Sequence, residues 1–321
     1  MGLGDNIIAA ALQQSYEKQL NGKSLVFGQG PIYKMENSYI ELAKKCQLTK
    51  AITPKSKESF VIFKRWGTQW YFVKKASYNL VKIPHEVSKR IYQLDKYETD
   101  SLRLSFKRDV RLPNLKLPSE IVKKEIINKN KKPRILIEPS IKGTVSSTNK
   151  QWPIKYFIKL IKLLNSKFEV DIPIWAKNLI PNNIIKSYFS SLDPFSSFQK
   201  INNYDLVITP EGGLHHIVSA TKTPAIVIFG GFIAPDITGY VNHVNIGFKS
   251  NFSKDSMHLD ACGSLYKCGH CKMIMEKIKP NLLFQLACDI INEKKIRIKE
   301  IKTNDGLIVI SEFQKRKFYM Y

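Results

Sequence analysis

The residue types best suited to chemistry fall within one short stretch, Pro210-Glu-Gly-Gly-Leu-His-His216. Glu211 offers a carboxylate that can accept hydroxyl donors or a proton, and His215 and His216 set imidazole nitrogens beside it. Gly212 and Gly213 let the backbone turn sharply and let a ligand come close, while a helix starting behind them would present N–H groups to an anion such as a phosphate. The same residues also suit a plain turn whose histidines cap the helix, and the pattern alone leaves both readings open. A second glycine-rich strand end in the same unit, Phe229-Gly-Gly231 with Thr238-Gly239, favours a ligand site, because ligands of open α/β sheets collect at the carboxyl ends of strands.

Three further groups have chemical character. The polar stretch 139–153 carries the hydroxyls of Thr144, Ser146, Ser147 and Thr148 and the ammonium of Lys150 just ahead of a helix, a set that can hold a diphosphate. A solvated loop is the plainer reading of that stretch. At the start of the chain, Gly2-Leu-Gly-Asp5 is a glycine loop that places a carboxylate before a helix. Near the end, Cys268-Gly-His-Cys271 with Cys262, and with His270 or His258 as a fourth ligand, has the residue types for tetrahedral zinc. It lacks a second Cys-x-x-Cys pair, so buried thiols are the plainer reading and no metal is expected, with Cys262, Cys268, His270 and Cys271 as the alternative.

The elements that must position these groups follow from periodicity. Apolar runs at 206–208 and 225–229 bracket the Glu-Gly-Gly stretch, which predicts strand, tight loop, short helix and strand, one parallel β-α-β unit. Strands are expected at 24–27, 134–137 and 169–175, a hairpin at 60–64 and 70–74, and a terminal hairpin at 296–301 and 307–313 around Thr303-Asn-Asp-Gly306. Helices are expected at 6–20, 39–46, 84–94 and 280–293, and after Pro153, where Ile154, Phe157, Ile158, Ile161 and Leu164 make one stripe opposite Lys155, Lys159 and Lys162. Residues 177–199 are weakly patterned. Alternating strands and helices argue for an α/β protein with a parallel sheet covered on both faces.

A chain of 321 residues with 43% hydrophobic content can bury two cores. The lysine-rich stretch 119–133 places a boundary near 130, giving units 1–130 and 131–300 with a hairpin and basic tail at 301–321. The net charge is +24, spread along the whole chain, which suits nucleic acid, an anionic membrane surface or phosphorylated substrates. No apolar run is long enough to span a bilayer and residues 1–5 have no signal character, so a cytoplasmic protein, resting peripherally on a membrane, is expected. Five cysteines, three within 262–271, do not form a secreted disulfide framework.

Taken in order, several of these motifs resemble glycosyltransferase family 9, whose best-known members are ADP-heptose:lipopolysaccharide heptosyltransferases. Gly4-Asp5 is similar to the family's N-terminal Gly-Asp, and Lys150-Gln-Trp-Pro153 to its Lys-x-Trp-Pro. Glu211-Gly-Gly-Leu-His-His216 is similar to its Asp-Thr-Gly-x-x-His, and Thr223-Pro224 with Phe229-Gly230 to its closing strand. Cys268-Gly-His-Cys271 and Ile278-Lys-Pro280 resemble its cysteine-bearing C-terminal segment. The resemblance covers most of the chain, weakly over 22–130 and well over 133–285. The chain departs from the pattern with glutamate at 211 and glycine at 212, and no strand is seen ahead of the Gly-Asp loop, so an upstream start or another segment is expected to supply it.

The resemblance implies a GT-B architecture, two Rossmann-like domains facing a cleft, with the acceptor on the N-terminal domain and the donor on the C-terminal one. It implies inverting, metal-independent and cofactor-free transfer of heptose or a related sugar from an ADP-heptose-like nucleotide diphosphate donor. Asp5 is then the catalytic base, and Thr144, Lys150, Glu211, Gly212, Gly213 and His216 hold the donor, with His215 structural. The implied acceptor is lipopolysaccharide or another anionic cell-surface glycolipid at the inner face of the cytoplasmic membrane, and no nucleic acid is involved. Three other readings stand beside it: a nucleotide-sugar epimerase of the same fold, a basic nucleic-acid-binding protein, and a catalytically silent transferase fold.

Overall fold

The computed structural model describes residues 7, 11, 25–28, 60–65, 69–74, 114–119, 132–139, 147–190, 194–230, 232, 235–240, 243–250, 267–292, 299–303 and 306–310. They fall in two compact units, Met1–Pro118 and Ser119–Tyr321. In the first, β1 (Leu25–Gly28) runs parallel to β2 (Phe60–Arg65), which pairs antiparallel with β3 (Gln69–Lys74). Arg65 faces Gln69 across the turn, as the hairpin pattern predicts. Ile7 and Ala11, one helical turn apart, are helical and buried, and the rest of the helix expected at 6–20 lies outside the described residues. The expected helices at 39–46 and 84–94 lie outside the described residues.

The second unit is built on a sheet whose six parallel strands are β4 (Arg134–Ile137), β5 (Glu169–Pro173), β6 (Ser187–Phe189), β7 (Leu206–Pro210), β8 (Ala225–Ile228) and β9 (His243–Ser250). Their order across the sheet is β6-β5-β4-β7-β8-β9. The chain therefore starts in the middle, runs out to one edge, returns to the centre and runs out to the other. This is the doubly wound order of dinucleotide-binding folds, and it reverses between β4 and β7. Beyond β9 the sheet continues antiparallel through β11 (Gly306–Ile310) and β10 (Lys299–Thr303).

Central parallel strands are covered on both faces and so read as continuous apolar runs. Ile135, Leu136 and Ile137 of β4 and all five residues of β7 are buried. On one face, Ile135, Ile137, Leu206, Ile208, Ile226 and Ile228 form a core with Phe157, Leu160, Ile161 and Leu164 of α2 (Ile154–Leu164) and Leu283, Leu286 and Ala287 of α7 (Pro280–Ile291). Of the stripe expected after Pro153, Phe157, Ile161 and Leu164 are buried and Ile154 and Ile158 partly so, and Leu160 joins them. The alternate residues Leu136, Val207 and Val227 point to the opposite face, where α3 (Pro194–Ile201) and α4 (Gly213–Ser219) pack on one another and α4 packs on β7 and β8. Short helices α1 (Ser147–Lys150) and α5 (Pro235–Thr238) and the nine-residue α6 (Gly269–Lys277) complete the unit. Among the described residues no helix is long and apolar enough to cross a membrane.

Several expectations need correction. The stretch ending at Lys150 is not all solvated loop: Ser147–Lys150 is a helical turn with Asn149 buried. The strand expected at 169–175 ends at Pro173, and Ile174–Leu179 forms a 3-10 turn that leaves Trp175 exposed. The weakly patterned stretch 177–199 hides β6, a three-residue edge strand with one exposed serine, and most of α3. β9 escaped because His243 and Asn245 alternate with Val244, Ile246 and Phe248, a pattern that suggests a solvated face although both polar residues are fully buried.

Trp152 fastens the segment that carries Lys150. Its ring is fully buried edge-on to Phe157, 4.7 Å between centroids, and its Nε1–H donates to the Ile278 carbonyl at 2.9 Å. Trp152→Phe keeps most of the apolar volume and leaves that carbonyl without its donor, so unfolding free energy should fall by about 1–3 kcal/mol with an unchanged urea m-value. Equilibrium urea denaturation of the two proteins measures it.

Candidate functional site

Two strand ends flank the point where strand order reverses. The first residue past β4 is Glu138 and the first past β7 is Glu211, and both remain anchored to the sheet: Glu138 N–H donates to the Ile208 carbonyl at 2.9 Å and Glu211 N–H to the Ile228 carbonyl at 3.0 Å. Each carboxylate therefore projects from a fixed backbone. The stretch after Glu138 returns through α1, closed by the Gln151 side-chain amide donating to the Pro139 carbonyl at 2.6 Å. It brings Lys150 to Glu211, with Nζ 2.5 Å from Oε2. Only 15% of the lysine side chain and 5% of the glutamate side chain are exposed, so this ion pair is shielded from solvent screening. The face of Phe232 lies 4.7 Å from the same ammonium and supplies a cation–π contact.

Close approach at this corner depends on Gly230. A Cβ there would stand 3.1 Å from the Asn149 carbonyl oxygen and 2.9 Å from Met275 Sδ. With glycine at the end of β8, α1 and α6 can both press onto the sheet. Asn149 then accepts the Cys268 N–H through Oδ1 at 2.9 Å, tying the start of α6 to the residue beside Lys150. Gly213, in contrast, faces open space, with nothing within 4 Å of where a side chain would begin. The loop is thus open at Gly213 while its carboxylate is held from behind.

The two histidines have different surroundings. His215 is fully buried, and burial lowers its pKa, so the ring is neutral. Its Nε2–H donates to the Thr238 carbonyl at 2.9 Å, and Nδ1 lies against the Gly212 backbone, 2.9 Å from its carbonyl oxygen and 3.2 Å from its nitrogen. His215 therefore splints the glycine turn to α5. His216 turns the other way. Burial raises the pKa of Tyr240 and keeps its hydroxyl protonated, so that O–H donates to His216 Nδ1 at 2.8 Å and Nε2 is directed at Glu211 Oε1, 3.8 Å away. Thr238 Oγ1 lies 3.5 Å from the same oxygen. Lysine, histidine and threonine thus surround one carboxylate.

The structure brings Lys150, Glu211, Gly212, Gly213 and His216 together, while Asp5 and Thr144 lie outside the described residues. The ligand atoms of Glu211, His215 and His216 are within 4.8 Å of one another, as a metal site would require. However, the Lys150 ammonium already compensates the carboxylate and both His215 nitrogens are engaged by backbone, so a cation would have to displace the lysine and a histidine contact. Of the cysteine set, Cys268, His270 and Cys271 converge at the start of α6. Cys262 and His258 lie outside the described residues.

Glu138 was not singled out from the sequence, where it is one acid among many after an apolar run. Its carboxyl is buried at the reversal point beside Thr209, whose hydroxyl donates to Oε2 at 3.1 Å, and burial raises its pKa to about 7 against hydrogen bonds from Thr209 and Trp175. The signal available was position, the first residue after the central strand of a doubly wound sheet.

No protein-family model matches the chain, and no curated protein matches it. Among solved structures the chain is similar to E. coli ADP-heptose lipopolysaccharide heptosyltransferase II, with 14% identity and a TM-score of 0.39 over 60% of this chain and 55% of that one. The likeness thus spans little more than half of that chain. It is also similar to the E. coli heptosyltransferase WaaC with ADP, at 12% identity and TM-score 0.39 over 87% and 77% of the two chains. A glycosyltransferase of family 9 from Veillonella parvula matches at 13% identity and TM-score 0.40 over 88% and 78%. Likenesses this distant assign no activity by themselves.

The raised pKa of Glu138 has a thermodynamic consequence. Between the ordinary carboxyl value of 4.5 and about 7 the folded chain holds a proton that the unfolded chain has lost, so this group's contribution to stability is complete below that window and disappears as pH rises through it. The full span is roughly 2–4 kcal/mol. Neutral burial of His215 and His243 acts in the opposite sense below 6.5, so the comparison is made against Glu138→Gln. Urea unfolding at pH 5 and pH 8 should show wild type losing more stability than the variant on going to the higher pH.

Proposed function

We propose that the chain is an inverting glycosyltransferase of GT-B architecture, which takes a sugar such as heptose from an ADP-heptose-like nucleotide diphosphate donor and transfers it to an anionic cell-surface glycan. The observation that carries this reading is the shielded Lys150–Glu211 pair at the reversal point of a doubly wound sheet, next to a loop whose Gly213 faces open space. A lysine in that position can bind a diphosphate while its carboxylate partner accepts sugar hydroxyls, so one ion pair spans the bond to be broken. His216 and Thr238 hold the carboxylate from the far side, and Thr144 adds a hydroxyl to the phosphates. Transfer needs no metal if Lys150 and the loop N–H groups take up the charge of the departing diphosphate. The net charge of +24 suits a phosphorylated glycolipid at the inner face of a membrane.

Asp5, in the Gly-Leu-Gly-Asp loop, is the group proposed to take the proton of the acceptor hydroxyl as it attacks the anomeric carbon. Asparagine caps a helix about as well as aspartate but cannot act as a base. Asp5→Asn should therefore keep its melting temperature and donor affinity while transfer falls by roughly 10²–10⁴-fold. Near wild-type transfer would direct the search for the base to Glu211.

Donor binding is tested at Lys150. Lys150→Met retains an apolar stem over Phe232 and removes the charge, so affinity for nucleoside diphosphate should fall by about 1.5–3 kcal/mol. It also leaves a buried carboxylate without its cation, which destabilises the fold. Lys150→Met combined with Glu211→Gln should regain melting temperature without regaining affinity, and calorimetry on both separates binding from folding. The overall reading is tested with a panel of nucleotide sugars, following nucleotide release with and without a glycolipid extract. Release from one donor that depends on the extract is expected, and release from none overturns it.

A further inference from the structure

We propose that Cys268, His270 and Cys271 bind a zinc ion that pins the start of α6. The ligand atoms of all three lie within 4.8 Å of one another. Around a tetrahedral zinc, bonds of about 2.3 Å to sulfur and 2.0 Å to nitrogen place neighbouring ligand atoms roughly 3.3–3.8 Å apart. The cluster is thus within about an ångström of closing, a distance that side-chain rotation supplies. Cys268 is the residue immediately before α6 and Cys271 lies in its first turn, so both sulfurs sit where the helix dipole favours anionic ligands. Gly269 between them faces open space and leaves the turn unobstructed. A second feature points the same way. The His270 side chain is only partly buried, but its Nδ1 is sealed from solvent with no hydrogen-bond partner among the described residues, so a metal held through that nitrogen would satisfy it.

Two sulfurs and an imidazole select a borderline-soft divalent ion over magnesium or calcium. Binding converts two thiols to thiolates and releases two protons, and it leaves the fourth tetrahedral position for one more ligand. The ion takes no part in sugar transfer. Its effect is mechanical: Cys268 N–H is held by Asn149, the neighbour of Lys150, so the metal would fix the element on which the lysine segment leans. The inference stands whether or not the chain is a glycosyltransferase.

The test is metal analysis of the full chain, expressed in zinc-supplemented medium and purified without nickel resin or chelator. About one zinc per chain is expected. After chelation, titration with cobalt(II) should give the intense visible ligand-field absorption of a tetrahedral site together with thiolate-to-metal charge transfer in the near ultraviolet. Cys268→Ser, Cys271→Ser and His270→Ala should each weaken both signals, with circular dichroism confirming that each variant is folded. If a serine variant fails to fold, His270→Ala carries the test, by loss of zinc at retained helix content. Zinc well under one per chain with no cobalt absorption overturns the proposal. So does full zinc content in a folded Cys268→Ser, Cys271→Ser double variant, and so does a Cys268–Cys271 disulfide that takes up no metal once reduced.

Discussion

A buried carboxylate 2.5 Å from a largely shielded ammonium is tolerable only with it, and most of what surrounds Lys150 and Glu211 follows from keeping them together. Either charge alone in that place would be expensive, so the two segments that carry them must arrive with little freedom to separate. The sheet secures Glu211 through the Ile228 carbonyl. Lysine has no such anchor. Its four-residue helix is held instead by its neighbours: Asn149 is fixed to Cys268, Gln151 to Pro139, and Trp152 to Ile278. Three hydrogen bonds within four residues, one before Lys150 and two after it, restrain a segment too short to be stable as a free helix.

Those restraints draw on distant parts of the chain, which explains why α6 matters although it contributes nothing to the carboxylate itself. Ile274 and Met275, with Ile278 just beyond its end, bury its inner face in the same core as α2 and α7, and Cys268, immediately before its first residue, meets Asn149. Gly230 permits this contact because any side chain there would stand between Met275 and the Asn149 carbonyl. A far-off core position and a loop lysine are coupled through plain packing. The amino ends of the strands are secured separately: Arg134 pairs with Asp171 at 2.6 Å, and Tyr204 O–H donates to the same carboxylate at 2.7 Å.

The sequence made the central strands legible because parallel strands buried on both faces leave unbroken apolar runs, and β4, β7 and β8 have them. The stripe on α2 and the terminal hairpin were legible for similar reasons of period. β9 was not, since burial of His243 and Asn245 contradicts what alternation says about a solvated face. Nor was β6, with three residues and no apolar run. Lys150, Glu211, the glycines and His216 each stood out as residues of chemical type, but nothing in one dimension said that Lys150 meets Glu211. That contact is a property of strand order, which lays β4 beside β7 although 68 positions separate the end of one from the start of the other in sequence. Glu138 was overlooked for the converse reason, since its type was ordinary and only its place was informative.

The hairpin of β10 and β11 does more than lengthen the sheet. Without it β9 would be an outermost strand, with Val244, Ile246 and Phe248 beside a row of unsatisfied main-chain groups, a template onto which another chain could add. β11 covers that row by pairing Ile310 with Ile246 and Ile308 with Phe248. The new outermost strand reads Lys-Glu-Ile-Lys-Thr, with charge at three of five positions. Charge on an outermost strand discourages a further strand from adding there, so the hairpin closes off the edge that β9 would have offered.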